Sequence, residues 1–549
     1  MSAVLQIRNL SKNEIAINHH NPSYLGRMEY YKSSENITDQ MEGGESRSRS
    51  IGLDAIFQYT GSGVQFFSGM IFYLIIVRLF STTAVGAIAL FLAIIGLFQI
   101  VFSFGLGTAA QHFTSYSIGL GDFAAAAKVF YKIITYGFLV SIFGFLSLLL
   151  LSPVISISFL HSNQYTNLIR LLSIVLLGSI LFSILNGTLL GLQNFRLSAF
   201  INIIIWIAYY FGSIAFAYLI HNLSALIAGW SMGIFLGVII ELTLILKVLS
   251  KFKGGALTLS TQSLIKYSLP VVLSGLIGYS AAYADRFIVA GLINLSSLGV
   301  YNFALLISSS LGFLAIPFNN ILMPKFSELF GRGERALISA HVKASSMLLM
   351  SIYVPASLGI SALAPVLIGL LGGPNYAGGS APLSLVMFLS AFFVSSNILT
   401  QAIASVRRTK IFIYSSVVGF GSNVILSYLL IPKFGLVGAA LGFSSVFAST
   451  FFVLYFFAKV ENVASFDISG TVKIWIASLV MFITVFILIN RIGTTLYLMP
   501  IYILVGICIY LGLARMLKLF KKEDKELVLS LFPENFIRTR KLLSLLILH

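Results

Sequence analysis

Residues 84–106 read AVGAIALFLAIIGLFQIVFSFGL, an apolar run without a single charged side chain. A helix rises ~1.5 Å per residue, so ~20 apolar residues are needed to cross the ~30 Å hydrocarbon core of a bilayer. This run is long enough to span. Backbone polar groups have no water to bond in lipid, so a run of this kind specifies a helix rather than an open strand.

Thirteen further runs of the same character lie on either side: 54–79, 129–151, 169–191, 198–220, 224–246, 264–285, 298–322, 344–370, 382–403, 411–431, 436–458, 472–490 and 496–514. Turn-forming clusters separate them, among them Ser81-Thr82-Thr83, His161-Ser162-Asn163-Gln164 and Gly372-Gly373-Pro374-Asn375. The fold class expected is an all-α polytopic membrane protein with about fourteen transmembrane helices. Composition agrees: 58% of residues are hydrophobic, 10% are charged and the mean hydropathy is +0.96. A soluble domain carries about 25% charged residues.

The net charge of +17 would suggest nucleic acid in a soluble protein. In a membrane protein it reflects basic cytoplasmic loops, and no basic patch interleaved with aromatics marks a nucleic-acid module. No nucleic-acid partner is expected. The lone Cys508 excludes an intrachain disulfide and leaves the redox compartment unread. Residues 1–50 are polar with both charge signs and read as a disordered cytoplasmic tail ending in the Ser46–Ser50 run. No apolar core follows their first basic residues, as a cleaved signal would require.

Orientation follows from Lys and Arg. With both termini cytoplasmic, only Arg78, Arg170, Arg286, Lys433 and Arg491 of the 35 basic residues fall outside the inner loops and tails. That asymmetry obeys the positive-inside rule and requires an even number of spans.

The chain also matches itself at one shift. Val85-Gly86 meets Leu298-Gly299, and 299 and 86 differ by 213. His112-Phe113-Thr114-Ser115 meets Lys325-Phe326-Ser327-Glu328 at the same interval, as Gly191–Asn194 meets Ala404–Arg407 and Gly229 meets Gly442. A six-span unit has both halves entering the membrane from the same side, a parallel repeat about an axis along the membrane normal. The domain plan expected is a first six-helix bundle over 51–253, a second over 254–460, two extra transmembrane helices over 461–515 and a basic cytoplasmic tail over 516–549. Substrate sites of such transporters lie between the halves.

Ionisable groups at membrane depth cost several kcal/mol, which makes each a functional candidate. Only Asp54, Glu241 and Asp285 of the acidic residues fall in or at the edge of a span, and these are the ion-coupling candidates. Tyr279, Tyr283 and Arg286 are spaced i, i+4, i+7, which puts two rings and a guanidinium on one helix face beside Asp285. That face suits stacking on a sugar and forked bonding to a phosphate. Arg78 closes the first span at the corresponding level. Gln58, Gly61 and Gln65 form a polar stripe in the same span. Asp54 also suits the cap of that helix, and Glu241 suits a pair with Lys247. Pro270, Pro317 and Pro355 are expected to interrupt spans seven to nine. No nucleotide-binding GxxxxGK[ST] run, DxD pair, metal cluster or large outer loop appears, so no catalytic residue, cofactor or metal is expected.

Two segments carry a family resemblance: Tyr283-Ala284-Asp285-Arg286-Phe287-Ile288-Val289, and Leu298-Gly299-Val300-Tyr301-Asn302-Phe303-Ala304. Ile316-Pro317, Met323-Pro324-Lys325-Phe326-Ser327-Glu328 and Gly435-Leu436-Val437-Gly438-Ala439-Ala440 extend it. On these the chain resembles the polysaccharide-transporter, or oligosaccharide flippase, branch of the multidrug/oligosaccharidyl-lipid/polysaccharide exporter superfamily. The resemblance implies a V-shaped pair of six-helix bundles with rocker-like alternating access. It implies a polyprenyl- or dolichyl-linked oligosaccharide as substrate, moved across the cell membrane for surface polysaccharide or glycoprotein assembly. Membrane lipids and glycan assembly enzymes are the partners implied, with a monomeric transport unit. Family members often line the cavity with basic residues. Here only Arg78 and Arg286 are available, a departure that admits a monophosphate carrier. The alternatives are an ion-coupled multidrug/cation antiporter of the same superfamily and a membrane-embedded glycosyltransferase.

Overall fold

The computed structural model describes residues 44–120, 122–249, 259–493 and 495–519. The chain divides into two compact units, Met1–Gly61 and Ser62–His549. Among the described residues of the first there is only the beginning of one helix. The second holds the remaining spans.

The helices are α1 (Gly44–Leu79), α2 (Thr82–Ser103), α3 (Leu106–Gly119), α4 (Phe123–Leu160), α5 (Thr166–Gly191), α6 (Phe195–Ile220) and α7 (Leu223–Leu249). They continue with α8 (Thr261–Leu292), α9 (Leu295–Ser309), α10 (Ile316–Gly331), α11 (Arg335–Gly372), α12 (Ser380–Leu389) and α13 (Ala391–Ser405). Last come α14 (Lys410–Phe434), α15 (Leu436–Val460), α16 (Ile468–Ile492) and α17 (Met499–Met516). No strand occurs among the described residues. Thirteen helices among them are long and apolar enough to cross a membrane, and fourteen spans result if the bent pair α12–α13 counts as one. The all-α polytopic class expected from sequence is the one observed.

Three local expectations are corrected. Helix α1 starts at Gly44, so the Ser46–Ser50 run belongs to a helix and Asp54 lies inside it rather than at its cap. The side chain of Asp54 lies outside the described residues, as do residues 1–43 and the tail beyond Leu519. The tenth span is not one rod. Residues Pro374–Leu389 and Ala391–Ser405 meet at 41°. Ser390 sits at the joint, and its Oγ donates to the carbonyl of Met387 at 2.7 Å. A serine hydroxyl that captures a carbonyl of the preceding turn competes with the helix ladder and bends it. Of the three prolines, only Pro317 stands at a break, in the first turn of α10 after a 3-10 segment. Pro270 and Pro355 lie inside continuous helices.

Residues 213 positions apart occupy similar places. Ser81 caps α2 and Asn294 caps α9 through side-chain oxygens. Gly229 of α7 lies against Ser213 of α6, and Gly442 of α15 lies against Ser427 of α14. In each case a Cβ on the glycine would collide with the neighbour, so small residues let the two helices touch backbone to backbone. Helices α2 and α9 approach each other reciprocally. A Cβ on Gly86 of α2 would stand 1.8 Å from the Leu295 carbonyl oxygen, and one on Gly299 of α9 would stand 2.1 Å from that of Thr82. The hydroxyls of Thr82 and Ser296 are hydrogen-bonded at 2.7 Å in the same crossing.

Candidate functional site

Helix α8 carries a dense polar constellation. The i, i+4, i+7 spacing lines up Tyr279, Tyr283 and Arg286 as expected, but as a closed stack. The two rings lie 4.3 Å apart at 11°, and the Arg286 guanidinium sits 4.3 Å above the Tyr283 ring. The Tyr279 hydroxyl donates to the carbonyl of Ala93 in α2 at 2.9 Å. The rings therefore stack on each other and on the guanidinium, and stacking on a sugar requires this column to part.

Asp285 is fully buried. Its Oδ2 accepts from the Tyr301 hydroxyl at 2.7 Å, and its Oδ1 lies 3.5 Å from Arg286 Nη1. Arg286 also donates from Nη1 to the Ala282 carbonyl at 2.7 Å and from Nε to Asn302 Oδ1 at 3.1 Å. Tyr73 of α1 lies close to Asn302, which brings an early helix of the chain up to this network. On the other side Asn423 Nδ2 donates to the Ala281 carbonyl at 2.9 Å, fastening α14 alongside. A buried carboxylate is tolerable only when paired and hydrogen-bonded, and here it has both.

Arg286 lines a cavity of about 230 Å³ together with Ser308, Ser309, Tyr353, Ser390 and Phe443. The donors this otherwise apolar wall offers an anionic, oxygen-rich group are the guanidinium and the Tyr353 phenol, since the hydroxyls of Ser308, Ser309 and Ser390 each donate to a carbonyl one turn back in the chain.

The other sequence candidates lie elsewhere. Arg78 does not join Arg286. Its Nε donates to the Leu371 carbonyl at 3.0 Å and its Nη2 to that of Leu370, at the C-terminal end of α11. Those carbonyls lack helical partners and carry the negative end of the helix dipole, so an arginine there is a cap. Gln65 is half-buried, and no hydrogen bond among the described residues joins it to Asp285 or Arg286. Gln58 is half-buried and falls in the first compact unit. Neighbours that sequence reasoning misses are Tyr73, Tyr301, Asn302 and Asn423. Tyr301 and Asn302 stand inside the quoted Leu298–Ala304 segment, but nothing local ties either to Asp285.

Glu241 is fully buried in α7, away from this network. The expected pairing with Lys247 does not occur. Its Oε1 accepts from Asn186 Nδ2 of α5 at 2.8 Å, while Oε2 has no partner among the described residues. Removing that donor by Asn186→Ala should cost about 1–3 kcal/mol, the penalty of an unsatisfied buried group. Glu241→Gln, which removes the charge and keeps the shape, should cost less. Thermal unfolding of the detergent-solubilised protein would show the order; equal loss in both variants would refute it.

The family described as "Polysaccharide biosynthesis protein" matches residues 75–381. An uncharacterised membrane protein of Methanocaldococcus jannaschii is 24% identical over 274 residues, 48% of this chain. The probable low-salt glycan biosynthesis flippase Agl15 of Haloferax volcanii is 23% identical over 189 residues, 34% of this chain. The matched stretches span 53% and 40% of these two relatives. Among solved structures, the lipid II flippase MurJ in an inward closed conformation superposes with a TM-score of 0.68 at 17% identity, covering 84% of this chain and 98% of its own. With more than half of its length matched, the chain belongs to the family of polysaccharide biosynthesis proteins, and its helical architecture is the one seen in the solved flippase structure.

Proposed function

We propose that this protein is a flippase that carries a lipid-linked oligosaccharide, on a polyprenyl or dolichyl phosphate, across the cell membrane by alternating access. The product would feed surface polysaccharide or glycoprotein assembly. The observation that carries the reading is Arg286, a guanidinium held at membrane depth in the wall of a hydroxyl-lined cavity. A phosphate ester is the membrane-borne anion such a fork fits. Asp285 is the group we assign to coupling. A cation or proton that neutralises it would release Arg286 to the phosphate, and its departure would favour release of the cargo.

The domain plan of two six-helix halves plus two helices, with both termini cytoplasmic, goes with this reading. It is supported by the asymmetry of basic residues and by the reciprocal Gly86 and Gly299 contact. Depletion of the protein should leave lipid-linked glycan accumulating on the cytoplasmic leaflet, measured by lectin access to inside-out vesicles. Unchanged surface glycan would refute the assignment, and loss of the precursor itself would indicate synthesis instead. A second reading, ion-coupled multidrug/cation antiport, is favoured by Glu241, buried without a counter-cation among the described residues. It requires efflux of a cationic dye that disappears in Glu241→Gln.

A further inference from the structure

A second cavity, of about 330 Å³, lies on a different face of the same stretch of α8. Its wall includes Phe98 of α2, Ile155 and Phe159 of α4, Phe287 of α8, and Phe420 and Val424 of α14. Tyr279 and Tyr283 line it too. No charged side chain among the described residues contributes to it. The Tyr279 hydroxyl is already committed to Ala93, so that residue presents its ring rather than its polar end. Helices α4 and α14, which both line the cavity, share no extensive contact, and Phe420 is exposed.

The two cavities share one divider and differ in charge: the first has Phe393, Phe443 and Phe447 in its wall but also the Arg286 guanidinium, and the second has no charged side chain. On one side stand Arg286 and the serines. On the other stand four phenylalanines and aliphatic side chains. Tyr283 borders the apolar cavity and lies 4.3 Å from the guanidinium that lines the polar one. An amphipathic ester has the same order: an anionic phosphate, then at once a hydrocarbon chain.

We infer that the apolar cavity beside Tyr279 and Tyr283 receives the first isoprene units of the substrate's carrier while its phosphate lies at Arg286. This rests on the flippase reading above. In a bilayer the chain leaves lipid, not water, so selectivity comes from packing rather than from the hydrophobic effect. The cavity's size falls in the range of small-ligand pockets. Its phenylalanine edges and faces suit the branched, unsaturated units of an isoprenoid better than a straight acyl chain.

The test uses the full-length protein in nanodiscs and farnesyl phosphate carrying a diazirine on its chain, with cross-linked peptides located by mass spectrometry. Cross-links are expected on Phe159, Phe420 or Val424. Val424→Trp, which fills the cavity, should weaken farnesyl phosphate binding at least tenfold. Cross-link mapping on the unsubstituted protein stands should that variant not fold. Dodecyl phosphate that competes as well as farnesyl phosphate would overturn the inference, because the cavity would then be a general lipid crevice. A third cavity is lined by Phe392, Phe451, Tyr455, Phe466 and Trp475; cross-links confined to it, with binding still dependent on Arg286, would overturn the tail site and leave the flippase reading standing. No farnesyl phosphate binding of any kind would count against both.

Discussion

Cysteines introduced by Thr82→Cys and Ser296→Cys, in a background carrying Cys508→Ser, should form a disulfide that arrests transport, and reduction should restore it. The two hydroxyls are 2.7 Å apart where α2 crosses α9. Disulfide geometry requires Cβ atoms about 3.5–4.5 Å apart, which side chains in hydrogen-bond contact can meet with little movement. Under the alternating access proposed above this crossing opens in one half of the cycle, so a covalent bond there would hold one state until it is reduced. The same contact predicts the effect of adding bulk. Gly86→Val places a Cβ where the Leu295 carbonyl oxygen stands, 1.8 Å away, and backbone cannot yield as a flexible side chain does. Overpacking of this sort costs typically about 1–3 kcal/mol, and each ~1.4 kcal/mol shifts an equilibrium tenfold. Surface glycan should fall about five- to a hundredfold, with the protein still inserted and monodisperse. Full activity in the oxidised double-cysteine protein would show that the halves need not separate at this crossing.

The second large effect is expected at Asp285 and Arg286. Arg286→Ala leaves a fully buried carboxylate without its cation, and breaking a buried pair from one side costs about 3–5 kcal/mol. Stability and export should both collapse, which by itself does not separate structure from function. The pairing of Asp285→Asn with Arg286→Gln does. It removes both charges, keeps an acceptor for the Tyr301 hydroxyl, and should regain most of the thermal stability lost in Arg286→Ala. Export should remain absent, because no cation is left for the phosphate. A double variant that recovers both stability and surface glycan would make the pair a structural fastening and move the substrate site elsewhere.

How much can be read from the chain depends on how local the physics is. A span announces itself, because ~20 apolar residues in a row satisfy both the backbone and the hydrocarbon within one segment. The run at 84–106 accordingly forms α2 with ends close to those expected, and the number of spans agrees even where the tenth is bent. The alignment of Tyr279, Tyr283 and Arg286 is legible for the same reason: residues four and three apart on one helix meet whatever surrounds them. Their availability is not legible, since the rings close on each other and Tyr279 is tied to Ala93 from another helix.

Partnerships between helices lie beyond such a reading. Arg78 and Arg286 look alike as lone basic residues near the ends of the first and seventh spans. In three dimensions one goes to the carbonyls of α11 and the other to Asn302 and the serine-lined cavity. Glu241 and Lys247 share one helix, yet the partner of Glu241 is Asn186, two helices back. In a bilayer a helix is hydrophobic on all sides, so no amphipathic stripe tells which face meets which neighbour. The helices, their number and the bias of charge between the two membrane faces are written in the chain, because each depends on one segment and its solvent. Which polar side chains satisfy one another is written only in the folded molecule, because that depends on backbones brought together at small residues hundreds of positions apart.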